Sequence, residues 1–236
     1  MSNEVVRYQN ELNSIGFRKF NAVEMDLFFS ICAKLKKQNT DTIRLSFEQL
    51  RELSNYKPTA TKRFVTDLES VYNKMLQLTY TTRNGLDVDK FVLFNGFSIR
   101  ASEDVPYVEI SINPKLESIL NEIDSNFTRF ELEEFTQLKS SYSKTLYRLL
   151  KQYRSTGIYI ITIEEFRRLL DIPASYRITN IDQKVLTPVK KELSKYFDNL
   201  QIVKTKAKKG NKIAQLVFTF TEKNKSKVPL DYRPSS

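Results

Sequence analysis

Ser46-Phe47-Glu48-Gln49-Leu50-Arg51-Glu52-Leu53 and Thr162-Ile163-Glu164-Glu165-Phe166-Arg167-Arg168-Leu169 are two versions of one segment, set 116 residues apart. Each opens with a hydroxyl residue followed three positions later by Gln or Glu. That is the capping-box pattern, in which both side chains satisfy backbone N–H groups at a helix start. The apolar positions match as well: Phe47 with Ile163, Leu50 with Phe166, Leu53 with Leu169. Further on, Leu68, Val71 and Met75 correspond to Leu186, Val189 and Leu193 at nearly the same offset. A period this long excludes a solenoid, and duplication of a domain is the simplest account.

Working outward from the first copy, Asn21-Ala22-Val23-Glu24 is another capping box and predicts a helix to about Gln38. A strand over Thr42 to Leu45 leads to the quoted segment, and a third helix begins near Pro58 and runs to about Leu76. The runs Leu78–Arg83 and Phe91–Ile99, separated by a stretch opening with Asn84-Gly85, predict a hairpin. A strand over Tyr107–Ile112 follows, then a helix capped by Asn113 with Pro114 at its first position. The second copy repeats the order: a helix over about Tyr142–Arg154, the strand Ile158–Ile161, the quoted segment and a helix over about Thr179–Tyr196. A hairpin of Leu200–Lys206 and Ile213–Thr221 closes it. Pro188 falls inside that last helix, where it predicts a kink or a later helix start.

Helix, strand, helix, helix, hairpin is the order of a helix-turn-helix with a β-ribbon appended. The expected fold class is therefore α+β, with two tandem winged-helix domains. The expected division is 1–126, 127–221 and a polar tail over 222–236.

The net charge of +10 is unevenly placed. Residues 1–128 hold 16 Lys+Arg against 17 Asp+Glu, a net of −1, while residues 129–236 hold 22 against 11, a net of +11. A basic excess confined to one unit points to nucleic acid as the partner. In the second unit's last helix, Ile181, Val185, Val189 and Leu193 form the expected buried stripe. Asn180, Gln183, Lys184, Thr187, Lys190 and Lys191 lie on or beside the opposite face. Asn and Gln suit the adenine edge, and Lys suits guanine or phosphate. Ser175-Tyr176-Arg177 leads into that helix, where it is placed to hold the DNA backbone. Lys204, Lys206, Lys208, Lys209 and Lys212 crowd the following hairpin, and beside a basic helix they read as phosphate contacts.

The absent residues narrow the alternatives. With no histidine and one cysteine, Ser-His-Asp and Cys-His catalysis and ordinary zinc sites are excluded. The five glycines form no phosphate-binding loop. Glu109 in a strand with Lys115 beyond it is a weak match to a metal-dependent nuclease. The expectation is no enzyme, no metal and no cofactor. Cys32, within an apolar run, is expected to be buried and inert. No run is apolar enough to span a membrane, and no signal peptide is legible, so the expected location is cytoplasmic.

Four stretches carry a resemblance over about residues 3–220: Asn21–Leu27, Phe127–Leu132, Tyr142–Lys151 and Leu169–Pro173. They resemble the initiator Rep proteins of iteron-controlled plasmids. The resemblance implies two winged helices that bind double-stranded DNA repeats, called iterons, at a plasmid origin, and that recruit a host initiator or helicase. It implies that the second domain makes most base contacts. The first would bind the other end of each repeat around Lys57, Thr59, Lys62 and Arg63. It also implies self-association, with dimers acting as autorepressors on an operator inverted repeat and monomers initiating. The surface expected for this is Val108, Ile110 and Ile112 with Leu116, Ile119 and Leu120. A winged-helix transcriptional repressor without initiator activity is the alternative.

Overall fold

The computed structural model describes residues 4–17, 19–35, 42–115, 127–207 and 212–223. Strand β1 (Val5–Gln9) is followed by a 3₁₀ turn (Asn10–Ser14) and helix α1 (Ala22–Leu35). The Asn21 cap forms as expected: its side-chain oxygen accepts from the Glu24 N–H at 2.9 Å, and Glu24 accepts from the Asn21 N–H at 2.7 Å. Helix α1 is buried almost all round, Cys32 included, so it is the central element of the first unit.

Strand β2 (Thr42–Ser46) runs into α2 (Phe47–Leu53), and α3 (Thr61–Met75) follows. The Ser46 box is complete, with both reciprocal bonds to Gln49 in place. Phe64, Leu68, Val71, Tyr72 and Met75 of α3 are buried, as their spacing predicts. Helix α3 starts at Thr61, after Pro58.

The strands after α3 differ from the expectation. Strand β3 (Thr79–Asn84) pairs with β4 (Asp87–Val92) across a tight turn at Gly85, whose φ is +62°. The chain then breaks at Leu93, which is fully buried. Its N–H donates to Leu78 and its carbonyl accepts from Asn113. The wing of the first unit is instead β5 (Phe94–Arg100) with β6 (Tyr107–Ile112), in a sheet of order β2-β6-β5. The β3–β4 hairpin, with Asp87 and Asp89 on it, is an insertion. The largely apolar run Phe91–Ile99 hides two strands with different partners.

Strand β7 (Phe127–Glu131) pairs with β1 in register Val5↔Glu131 to Gln9↔Phe127, so the start of the chain is tied to the segment between the two copies. Helices α4 (Leu132–Gln137) and α5 (Ser141–Gln152) follow. Strand β8 (Ile158–Thr162) and α6 (Ile163–Leu170) repeat β2 and α2, with the Thr162 side chain accepting from the Glu165 N–H. The return bond of that box is replaced: Glu165 takes Arg168 in a bidentate pair at 2.6 Å.

The third helix of this unit is continuous but not uniform. Helix α7 (Ile178–Ile181) passes through a π-helical turn (Asp182–Leu186) into α8 (Thr187–Leu193). The Thr187 N–H reaches the Asp182 carbonyl, five residues back, and Pro188 sits in the first turn beyond. The widened turn replaces the expected kink, because it makes room for a ring that cannot donate and would strike an α-helical carbonyl. Strands β9 (Phe197–Lys206) and β10 (Ile213–Glu222) complete a sheet of order β8-β10-β9, the same arrangement as β2-β6-β5.

Candidate nucleic-acid interface

The buried stripe of the second unit's third helix is as expected. Ile181, Val185, Val189 and Leu193 are each 0% exposed. That packing turns Gln183, Lys184, Thr187, Lys190 and Lys191 outward, and all five are exposed. Ser175 and Arg177 are exposed in the segment before α7, while Tyr176 and Asn180 are half-buried. Asn180 acts locally, since its side-chain oxygen accepts from the Arg177 N–H at 2.9 Å and closes the helix start. The Lys184 ammonium lies 5.0 Å from the centre of the Tyr176 ring, which holds it beside the lead-in segment.

On the adjoining wing, Lys204, Lys206 and Lys212 are exposed, and Lys208 and Lys209 lie outside the described residues. Lys204 pairs with Asp182 at 2.6 Å, so it ties the wing strand to the π turn instead of presenting a free charge. In the first unit Lys57, Thr59, Lys62 and Arg63 flank the start of α3, and all four are exposed. Arg63 lies 4.0 Å from Asp67 one turn on.

The basic excess of the second half is not all available to a ligand. Lys144, Arg148 and Lys151 occupy one face of α5 and are buried. Lys144 pairs with Asp26 at 2.6 Å, and Lys151 with Glu222 at 2.6 Å, Glu134 at 3.1 Å and Glu131 at 3.2 Å. Arg148 donates to Asn13 at 3.0 Å and stacks on the Phe17 and Phe29 rings. Asn13 also bonds Tyr8, Thr128 and Gln152, which joins the first segment of the chain to β7 and α5. Burial pushes the Asp26 carboxyl up to about 7 against the pull of Lys144, and lowers Lys144 for the same reason.

One expectation is corrected. Val108, Ile110 and Ile112 are 0%, 0% and 3% exposed, facing the first unit's own core, so they cannot form a dimer surface while β6 is folded. The residues that β6 turns outward are Tyr107, Glu109 and Ser111. Leu116, Ile119 and Leu120 lie outside the described residues. Glu109 is engaged by Arg44 at 3.1 Å, and Lys115 lies over the Phe91 ring. Among the described residues no group of three His, Cys, Asp or Glu is placed to hold a metal. No described helix is long and apolar enough to cross a membrane.

Comparison with known proteins agrees with this geometry. The "Initiator Replication protein, WH1" family matches residues 5–151, and the "Initiator Rep protein, WH2" family matches residues 162–220. A curated relative, the "Probable replication protein rep" of Bifidobacterium longum (strain NCC 2705), is 35% identical over 223 residues. The match covers 93% of this chain and 73% of that protein. Among solved structures, the Pi initiator protein in complex with iteron DNA superposes with a TM-score of 0.73 at 17% identity, covering 95% of this chain and 99% of that one. At that identity the likeness concerns the fold, and the fold is the same pair of winged helices. The chain therefore belongs to the initiator Rep family of replication proteins, with a WH1 unit followed by a WH2 unit.

Proposed function

We propose that this chain initiates plasmid replication by binding directly repeated duplex sites at the origin, and that it recruits host replication proteins without catalysing a reaction itself. The observation that carries the reading is the second unit's third helix. Its four apolar residues are wholly buried, which turns Gln183, Lys184, Thr187, Lys190 and Lys191 to one side beside the wing lysines. That side matches what a major-groove helix needs: donors and acceptors for base edges, with cations at the margin for phosphates. The Pi initiator, whose structure was solved on iteron DNA, supports the same use of the fold. The first unit contributes the other end of each site through Lys57, Thr59, Lys62 and Arg63. Self-association and autorepression belong to this proposal too, through a surface other than the buried face of β6.

Footprinting on the plasmid that carries the gene tests the reading. Protection of regularly spaced direct repeats is the expected pattern, and Lys184→Ala and Lys191→Ala are expected to weaken it. Protection of a single inverted repeat at the promoter would replace initiation with repression. Substituting Lys208, Lys209 and Lys212 should weaken binding to every sequence and lower the salt slope by roughly 0.9 for each phosphate no longer neutralised.

A further inference from the structure

Arg51 and Arg167 stand at the same place in the two copies, 116 residues apart, and their surroundings are copied with them. Each lies in the last turn of its helix, α2 or α6. Its carbonyl accepts from the N–H five residues on, Tyr56 in one copy at 2.9 Å and Ile172 in the other at 3.0 Å. The residue just before that donor, Asn55 or Asp171, has a positive φ of 52° in both. Both guanidiniums then cross the turn to bind carbonyl oxygens of the segment that leads into the next helix. Arg51 donates to Pro58 at 2.9 Å and Thr59 at 3.3 Å. Arg167 donates to Tyr176 at 2.6 Å and Pro173 at 3.5 Å. The two lead-in segments, 54–60 and 171–177, are equally long but differ in sequence. The brace has been kept while the residues it holds have changed.

We infer that Arg51 and Arg167 are positioning residues that set where α3 and α7 begin, and through that the base discrimination of each unit. This rests on the reading of those helices as the DNA-contacting ones. Arg167 gives one terminal nitrogen to each carbonyl, and this planar fork fixes a direction as well as a distance, which a single ammonium cannot do; Arg51 reaches both of its carbonyls through Nη1 alone. Gln183 and Lys184 lie about two turns from the braced carbonyl of Tyr176. A loosened lead-in segment therefore shifts the side chains that meet base edges more than the wing that meets phosphates. Each unit has its own brace, so the two ends of a site are tuned separately. Arg51 acts for one end and Arg167 for the other.

The test uses the full chain with Arg167→Met, Arg51→Met and Arg167→Lys. The probes are a duplex carrying one repeat that the wild-type protein protects and a scrambled duplex of equal length and composition. Each Met variant is expected to lose about tenfold in preference for the repeat, comparable to one bidentate base contact. Binding to the scrambled duplex and the salt slope should stay unchanged. Arg167→Lys should show the same loss, and full recovery by Lys would overturn the assignment. Equal loss on both duplexes with a slope lower by about 0.9 would make Arg167 a phosphate contact instead. A second measurement needs no DNA. Amide exchange should rise over residues 173–181 in Arg167→Met and over 56–64 in Arg51→Met, with the remainder at wild-type rates. Unchanged protection overturns the brace. Raised exchange in a protein that prefers no repeat would keep the brace and remove the DNA reading.

Discussion

The Lys144 ammonium sits 2.6 Å from the Asp26 carboxylate, with no exposure of its own, and joins α5 to α1. It donates also to the Phe135 carbonyl at 2.7 Å, so both partners are held in a fixed geometry away from water.

Removing one partner of a buried pair leaves a charge with nothing to replace its hydration. Lys144→Ala is therefore expected to cost about 3–5 kcal/mol in urea unfolding. The double variant Lys144→Met with Asp26→Leu is expected to recover most of that, since two apolar side chains need no pairing. A double variant as unstable as the single one would remove the electrostatic explanation.

The same pair makes a pH prediction. Burial raises the Asp26 pKa from 3.8 to about 7, so the folded state binds its proton more tightly than the unfolded chain does. Its contribution to stability is full below about pH 4 and is lost as pH rises toward about 7. Asp26→Asn should therefore destabilise the protein more at about pH 4 than at about pH 7.5, read from urea midpoints at each pH. An equal or opposite difference would contradict the shift.

Gly157 ends the turn into β8 with a φ of +67°, and an added Cβ would lie 2.5 Å from the Phe220 carbonyl oxygen. That carbonyl belongs to β10, which the Gly157 carbonyl holds through the Phe220 N–H at 2.9 Å. Gly157→Ala meets both a disfavoured backbone and a backbone collision, so a loss of more than about 1 kcal/mol is expected. Thermal melting checks it, and a wild-type melting temperature would contradict the geometry.

The Lys204–Asp182 pair is partly exposed on both sides, at 36% and 32%, so its own stability is worth within about 1 kcal/mol. Its consequence for DNA is larger. Asp182→Ala removes an anion from the proposed DNA face and releases Lys204. Binding to any duplex is expected to tighten, with a salt slope steeper by up to about 0.9. An unchanged slope would mean that Lys204 does not face phosphate even when released.

Much of this protein is decided by local patterns that a single sequence carries. The caps at Asn21, Ser46 and Thr162 and the duplication at offset 116 depend only on neighbouring residues. So does the stripe Ile181, Val185, Val189 and Leu193, because helical periodicity shows which side of a helix is apolar whatever covers it. The outward set from Gln183 to Lys191 follows from that stripe.

Tertiary structure decided the rest, wherever the answer depends on what lies opposite. By residue type Lys144, Arg148 and Lys151 belong on the solvated side of α5, yet Asp26, Asn13 and three glutamates from distant segments cover them. Val108, Ile110 and Ile112 suit surface and core equally until β2 and β5 flank β6. The run from Phe91 to Ile99 has the pattern of one strand because strand pairing is long-range, and only the buried Leu93 divides it between two partners. Lys204 has the character of a phosphate contact until a π turn, itself made by Pro188, sets Asp182 beside it. Periodicity specifies a face, whereas pairing and burial depend on residues far away in the chain.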